Sequence, residues 1–91
     1  MRYRFRAVEP FWTHFYRLSS AQKDAAREAW CFFKENPFDS RLGTHKIHRL
    51  SAISRKTIYA VKIDADLRAV FYIEGDWVVS VDIGTHDIYK G

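Results

Sequence analysis

The chain is expected to adopt an α+β fold of order β-α-α-β-β-β-β, with a helical hairpin packed on one face of a mainly antiparallel sheet. Three observations carry that expectation. Residues 2–8 alternate basic and apolar side chains, residues 10–35 hold apolar positions at helical spacing, and residues 46–83 break into short runs separated by turn signals. Helices grouped before a run of strands segregate onto one side of an antiparallel sheet.

The first strand is read at 2–8, where Arg2, Arg4 and Arg6 share one side and Tyr3, Phe5 and Ala7 the other. Strand side chains alternate with period two, so this is a half-buried strand with a basic outer face. Glu9-Pro10 breaks it, and Pro10 suits the first turn of a helix because its missing N–H has no partner there anyway. Phe11, Trp12, Phe15 and Leu18 then recur at helical spacing as an apolar stripe. Ser19-Ser20 ends that helix and opens the next, with Ser19 and Gln22 at capping-box spacing. The second helix is expected to run to about Glu35, with Ala26, Ala29, Trp30 and Phe33 inward, and to stop at Asn36-Pro37. So short a joint makes the two helices antiparallel neighbours.

A loop over 37–44 follows, with Gly43 near its end. Residues 46–52 are read as a strand, as are 57–63, where Thr57, Tyr59, Val61 and Ile63 alternate with Ile58 and Ala60. Asp64-Ala65-Asp66 turns the chain into a strand at 67–73. Glu74-Gly75-Asp76 is a hairpin signal before the last strand at 77–83, which Gly84 ends.

Ninety-one residues make one domain, 1–91, with no linker or repeat. A domain this small has a thin core, and 16% aromatic residues suit it, because each buries a large area for few rotatable bonds. No apolar run approaches a membrane span, and no apolar stretch of the signal-peptide kind follows Arg2, Arg4 and Arg6. Cys31 is the single cysteine, so no internal disulfide forms, and its place between Trp30 and Phe32 reads as a buried thiol. A reducing cytoplasm is the expected compartment.

The net charge is +4, and its distribution is more informative than its size. Residues 41–56 hold Arg41, Lys46, Arg49, Arg55 and Lys56 together with His45 and His48, and no Asp or Glu. A local basic block in a small domain points to an anionic partner such as RNA, DNA or an acidic protein segment, or else to a merely solvated face. His45 and His48 have a spacing that invites a metal. On a strand, though, residues i and i+3 face opposite sides, and no further ligand cluster is present, so neither metal nor other cofactor is expected.

Several stretches, taken in order, resemble the RelE/ParE toxin superfamily, the toxin halves of type II toxin–antitoxin pairs. His45-Lys46-Ile47-His48-Arg49-Leu50-Ser51 is similar to the family's "hKL" stretch, and Arg68-Ala69-Val70-Phe71 meets its "R-x-[VI]-[FY]" signature. Val81-Asp82-Ile83-Gly84-Thr85-His86-Asp87-Ile88-Tyr89 is close to the "IGTHDxY" ending of RelE-type members. The resemblance spans nearly the whole chain. It implies a compact toxin neutralised by a cognate antitoxin protein, acting in one of two ways. The RelE-like branch cuts mRNA on the ribosome, whereas the ParE-like branch inhibits DNA gyrase without catalysis. A chain that keeps only the antitoxin contact is the third possibility.

Of these, the endonuclease is expected here, and its chemistry sets the candidate residues. The ribose 2′-OH attacks the adjacent phosphorus and the 5′-oxygen leaves, so one proton is removed, another supplied, and phosphate charge stabilised. Histidine titrates near neutrality, which makes His86 the first candidate for proton transfer and His48 a second. Arg68 is the candidate phosphate clamp, because a guanidinium is always charged and donates two parallel hydrogen bonds; the plainer alternative is an ion pair with an acid on the next strand. Tyr89 is assigned to base stacking or phosphate contact, and Lys46 to the phosphate from the same strand face as His48. Arg41, His45, Arg49, Arg55, Lys56 and Lys90 complete the expected RNA-binding set. Some RNA-cutting relatives place a glutamate base near the basic stretch, but residues 40–56 contain no acid, so the general base is left open. The expected partners are the antitoxin, the ribosome and mRNA, with no membrane and no small-molecule cofactor.

Overall fold

A computed structural model describes residues 2–85 and Ile88. His86, Tyr89 and Lys90, all singled out from the sequence, lie outside the described residues, as does Asp87. The elements are β1 (Arg4–Ala7), α1 (Glu9–Tyr16), α2 (Ser20–Phe33), a 3₁₀ turn (Ser40–Leu42), β2 (His45–Lys46), α3 (His48–Ser54), β3 (Tyr59–Lys62), β4 (Arg68–Glu74) and β5 (Trp77–Gly84). The five strands form one mixed sheet in the order β1-β5-β4-β3-β2.

β1 presents Arg4 and Arg6 outward, as its alternation requires. It pairs only with β5, in parallel register from Arg4↔Trp77 to Ala7↔Ser80, so the ends of the chain meet at the sheet. The remaining pairings are antiparallel. The β4–β5 hairpin closes through the two residues between Glu74 and Trp77, with Gly75 at φ 62°, where a side chain would strain the backbone. Between Val70 and Phe71 the β4–β5 register shifts: Val70 faces Asp82 but Phe71 faces Ser80, leaving Val81 as the extra residue of a bulge.

The capping box at α2 is formed as its sequence signals: Ser19 Oγ accepts from Gln22 N–H at 3.1 Å, and Gln22 Oε1 accepts from Ser19 N–H at 3.0 Å. Ala26 of α2 joins Leu67 and Ile83 in a cluster closed by Phe11, Phe15 and Leu18. Phe33, Leu42, Val61, Phe71 and Val78 form the main core beside it. Trp12 and Trp30 do not sit in these cores. Each is 44% exposed, and both border an apolar crevice of about 410 Å³ between the hairpin and the sheet. Cys31 is exposed rather than buried, because the inward face of α2 is already set by Ala26 and Phe33. Among the described residues, no helix is long and apolar enough to cross a membrane.

The expected strand at 46–52 is not formed. Only His45 and Lys46 pair with β3, and His48–Ser54 is a helix. Ile47 and Leu50, three apart, pack together on Ile58, Ala60 and Val70 from the side opposite the hairpin. Ser51 Oγ donates to Ile47 C=O at 2.8 Å and accepts from Ile58 N–H at 2.8 Å, which ties the helix to the approach of β3. Lys46 and His48 therefore do not share a strand face. The sheet is covered on both sides, with α3 supplying the smaller cover.

Candidate functional site

Arg68 opens β4 directly after the Asp64–Leu67 turn. Among the described residues it is the one charged side chain that is buried, at 8% exposure. Its Nη1 donates to the carbonyls of Asp64 at 2.5 Å and Leu67 at 3.1 Å. The Asp64 carboxylate is engaged elsewhere, accepting from the N–H groups of Asp66 at 3.0 Å and Leu67 at 2.7 Å. No described carboxylate lies within ion-pair distance of Arg68. The expected alternative, a cross-strand acid, is absent among these residues: the partners of Arg68 in register are Lys62 on β3 and Gly84 on β5.

Among the described residues only carbonyl oxygens hold this cation, and none of them neutralises its charge. Both N–H groups of Nη1 are occupied, whereas Nε and Nη2 donate to no described residue. Among the described residues one edge of the planar fork is left without an acceptor, and such an edge matches two oxygens of a phosphate. Lys62, exposed beside it, adds a second positive charge that the sequence reading did not single out.

Gly84 lets Ile88 come close. A Cβ at position 84 would stand 2.8 Å from Ile88 Cγ2, nearer than side chains tolerate. Ile88 N–H donates to Thr85 C=O at 3.1 Å, and its side chain joins the Ile58–Ala60–Val70 cluster. Ile88 therefore lies on the face of the sheet that carries α3. Gly84→Ala is expected to destabilise the fold by about 1–2 kcal/mol, in the range of overpacked sites, and to shift the Ile88 methyl resonances in an NMR spectrum. Unchanged methyl positions would show that the contact is not made in solution.

The basic block divides. Lys46, His48, Arg55 and Lys56 line one open depression together with Ser51 and Thr57, and no described acid lines it. Lys56 is partly spent: its Nζ reaches Glu74 at 3.2 Å and lies 4.1 Å from the Tyr72 ring centre. The hydrogen bond to Glu74, followed by Tyr72, holds that ammonium above its ordinary range. Arg41, His45 and Arg49 are not brought into the depression. Arg41 clasps Asp39 through Nε at 3.0 Å and Nη2 at 2.8 Å, and its guanidinium lies 3.9 Å from the Phe32 ring centre. Those bonds from Arg41 lower the Asp39 carboxyl to about 2. His45 Nδ1 sits 3.0 Å from the Gly43 carbonyl, and Arg49 is exposed with no described partner.

Lys46 stands abreast of Phe71, two strands and three residues from Arg68, which strand spacings convert to roughly 14 Å. The candidates thus occupy two places, with Ile88 lying against the apolar cluster between them. One polar contact was missed altogether. His14 Nδ1 of α1 lies 2.5 Å from Asp82 Oδ1 on β5, joining the hairpin to the bulged strand. Its sequence signal was a polar residue three positions after Phe11, on the inward stripe.

Two solved structures share this fold. A chain of the archaeal RelE–RelB complex from Pyrococcus horikoshii OT3 matches with a TM-score of 0.71 at 14% identity, over 93% of this chain and 96% of that one. YafQ from E. coli strain BL21(DE3) matches with a TM-score of 0.72 at 12% identity, over 99% and 100%. At such identities the likeness is one of fold. The sequence matches no family model and no curated protein.

Proposed function

We propose that this chain, which has the fold of the archaeal RelE–RelB structure and of YafQ, is the toxin of a type II toxin–antitoxin pair. We propose further that it is a ribosome-dependent mRNA endonuclease. The observation that carries this reading is Arg68: a buried guanidinium with no carboxylate partner and one unoccupied edge among the described residues, across from Gly84.

Arg68 holds the non-bridging phosphate oxygens and stabilises the charge that grows as the 2′-OH attacks phosphorus. His86, assigned from sequence, moves a proton, and His48 is the second candidate. The products are a 2′,3′-cyclic phosphate and a 5′-hydroxyl end. No redox change and no metal enter this balance. Tyr89 supports the base or the phosphate. Positioning by the ribosome supplies orientation, so isolated RNA is expected to be a poor substrate. The protein partner is a cognate antitoxin that lays a segment across the Arg68 face; the RelE–RelB complex of the same fold supports a partner of this kind.

The test adds purified protein to translating ribosomes and maps the mRNA ends. His86→Ala is expected to reduce cleavage by about 100-fold or more, the usual weight of a general acid or base. Identical cleavage by both proteins would remove His86 from the mechanism. Inhibition of gyrase supercoiling with translation untouched would replace the nuclease by the non-catalytic branch.

A further inference from the structure

Arg55 is the one described non-glycine residue with a positive φ, at 60° with ψ 19°, where it caps the C-terminus of α3. In this left-handed region Cβ crowds the backbone, and helices that end so normally place glycine or asparagine there. Strain of this kind persists when the surroundings impose it or when function uses it. The surroundings do not impose it through the side chain. Arg55 makes no hydrogen bond, ion pair or ring contact with any described residue, and it is exposed. Arg55 instead lines the depression of about 420 Å³ shared with Lys46, His48, Ser51, Lys56 and Thr57.

The chemistry of that depression is one-sided. Lys46, His48 and Arg55 lack described partners, and no described carboxylate lines it. Ser51 is committed to Ile47 and Ile58, so the open donors are the three basic groups and the Thr57 hydroxyl. Such a set suits the oxygens of a phosphodiester chain, and its openness suits a strand passing through rather than an enclosed small molecule.

We propose that Arg55 is a phosphodiester-binding residue, held in a strained backbone conformation that presents its guanidinium to this depression. The depression is then a second nucleic-acid contact, roughly 14 Å from the clamp at Arg68 by strand spacing. A strand held at both places is gripped at the bond beside Arg68 and again to one side of it. The choice of RNA as the strand rests on the nuclease reading, whereas the phosphodiester contact does not.

The experiment compares Arg55→Gly with the wild-type chain in two measurements. The thermal midpoint is expected to rise by about 3–6 °C, since glycine relaxes the left-handed turn. Affinity for a 2′-O-methyl RNA dodecamer, which cannot be cleaved through its 2′ position, is expected to fall about 5–10-fold. The slope of log affinity against log salt is expected to lessen by about 0.7, the value for one phosphate of a single strand. Arg17→Gln, on the hairpin, sets the baseline for losing a distant charge. Arg55→Asn keeps the left-handed preference and is expected to lose affinity in the same way.

A DNA dodecamer of the same sequence separates the sources. Equal losses assign the contact to the phosphates alone, and a loss for RNA only assigns it to phosphate together with ribose. Gain of stability with unchanged affinity in Arg55→Gly, no binding by the wild type, or an equal loss for poly-glutamate overturns the proposal. Absence of ribosome-dependent cleavage would sink the proposed reaction and leave this contact standing. Unchanged binding would do the reverse.

Discussion

Arg68→Met is expected to leave the fold within about 1 kcal/mol of its original stability and to lower mRNA cleavage by at least about 100-fold. The two halves of that expectation come from one geometry. Leu67 C=O also accepts from Ile63 N–H at 3.0 Å and Asp64 N–H at 3.3 Å, so the turn survives without the guanidinium. No described carboxylate is left unpaired by the change, and an apolar chain of similar length avoids the desolvation cost of a buried charge. The phosphate, by contrast, loses a planar donor pair aimed at the charge that develops during attack. Arg68→Lys keeps the charge without the fork and should fall between the two. Urea denaturation beside the cleavage assay checks both halves. A variant that unfolds while any residual folded fraction cleaves normally would make Arg68 a structural residue.

Phe71→Ala is expected to remove about 3–5 kcal/mol of stability and to lower the thermal midpoint by about 15–30 °C. Phe71 is 1% exposed at the centre of the sheet. Its ring meets Phe33 edge-on at 5.1 Å, lies stacked on Tyr59 at 5.4 Å and faces Phe38 at 6.0 Å. The Tyr59 contact is a direct cross-strand pair, so truncation loosens β3 against β4 as well as α2 against the sheet. Small domains hold about 5–15 kcal/mol in all, and this single ring therefore carries a large share. Phe71→Leu should cost less than about 1.5 kcal/mol, because volume is nearly kept. Circular dichroism melts of the pair test the claim, and a shift below about 5 °C for Phe71→Ala would move the core elsewhere.

The same residues show how far the sequence could be read. The alternation around Tyr59, Val61, Ala69 and Phe71 was legible because period two is a local property, and β3, β4 and β5 formed close to where it placed them. Ser19 and Gln22 announced the start of α2 through a contact between near neighbours. α3 was missed for the opposite reason. Lys46, His48 and Leu50 mimic a strand over five residues. What selects the helix is the packing of Ile47 and Leu50 on Ile58, Ala60 and Val70, together with the Ser51 bridge to a chain seven residues on. The parallel pairing of β1 with β5 is likewise invisible to any local pattern.

At the candidate site, the residue type of Arg68 was legible but its burial was not, since burial depends on how the Asp64–Leu67 turn wraps it. The basic block was read as one surface. It divides because Arg41 finds Asp39 two residues away and α3 turns Arg55 and Lys56 toward Lys46. Gly84 read as a stop to the strand, and its missing Cβ proves to be what admits Ile88.

The pairing of β1 with β5 also sets a timetable. During synthesis, β1 emerges early yet has no partner until Trp77–Gly84 follows, about seventy residues later, and closing so long a separation comes late in folding. β4 gains its second neighbour at that same moment, and with it Arg68 meets Gly84. A nascent chain whose β5 is still in the exit tunnel therefore holds Arg68 without the frame around it. A protein proposed to attack translating ribosomes would be armed only once β5 has left the ribosome that makes it.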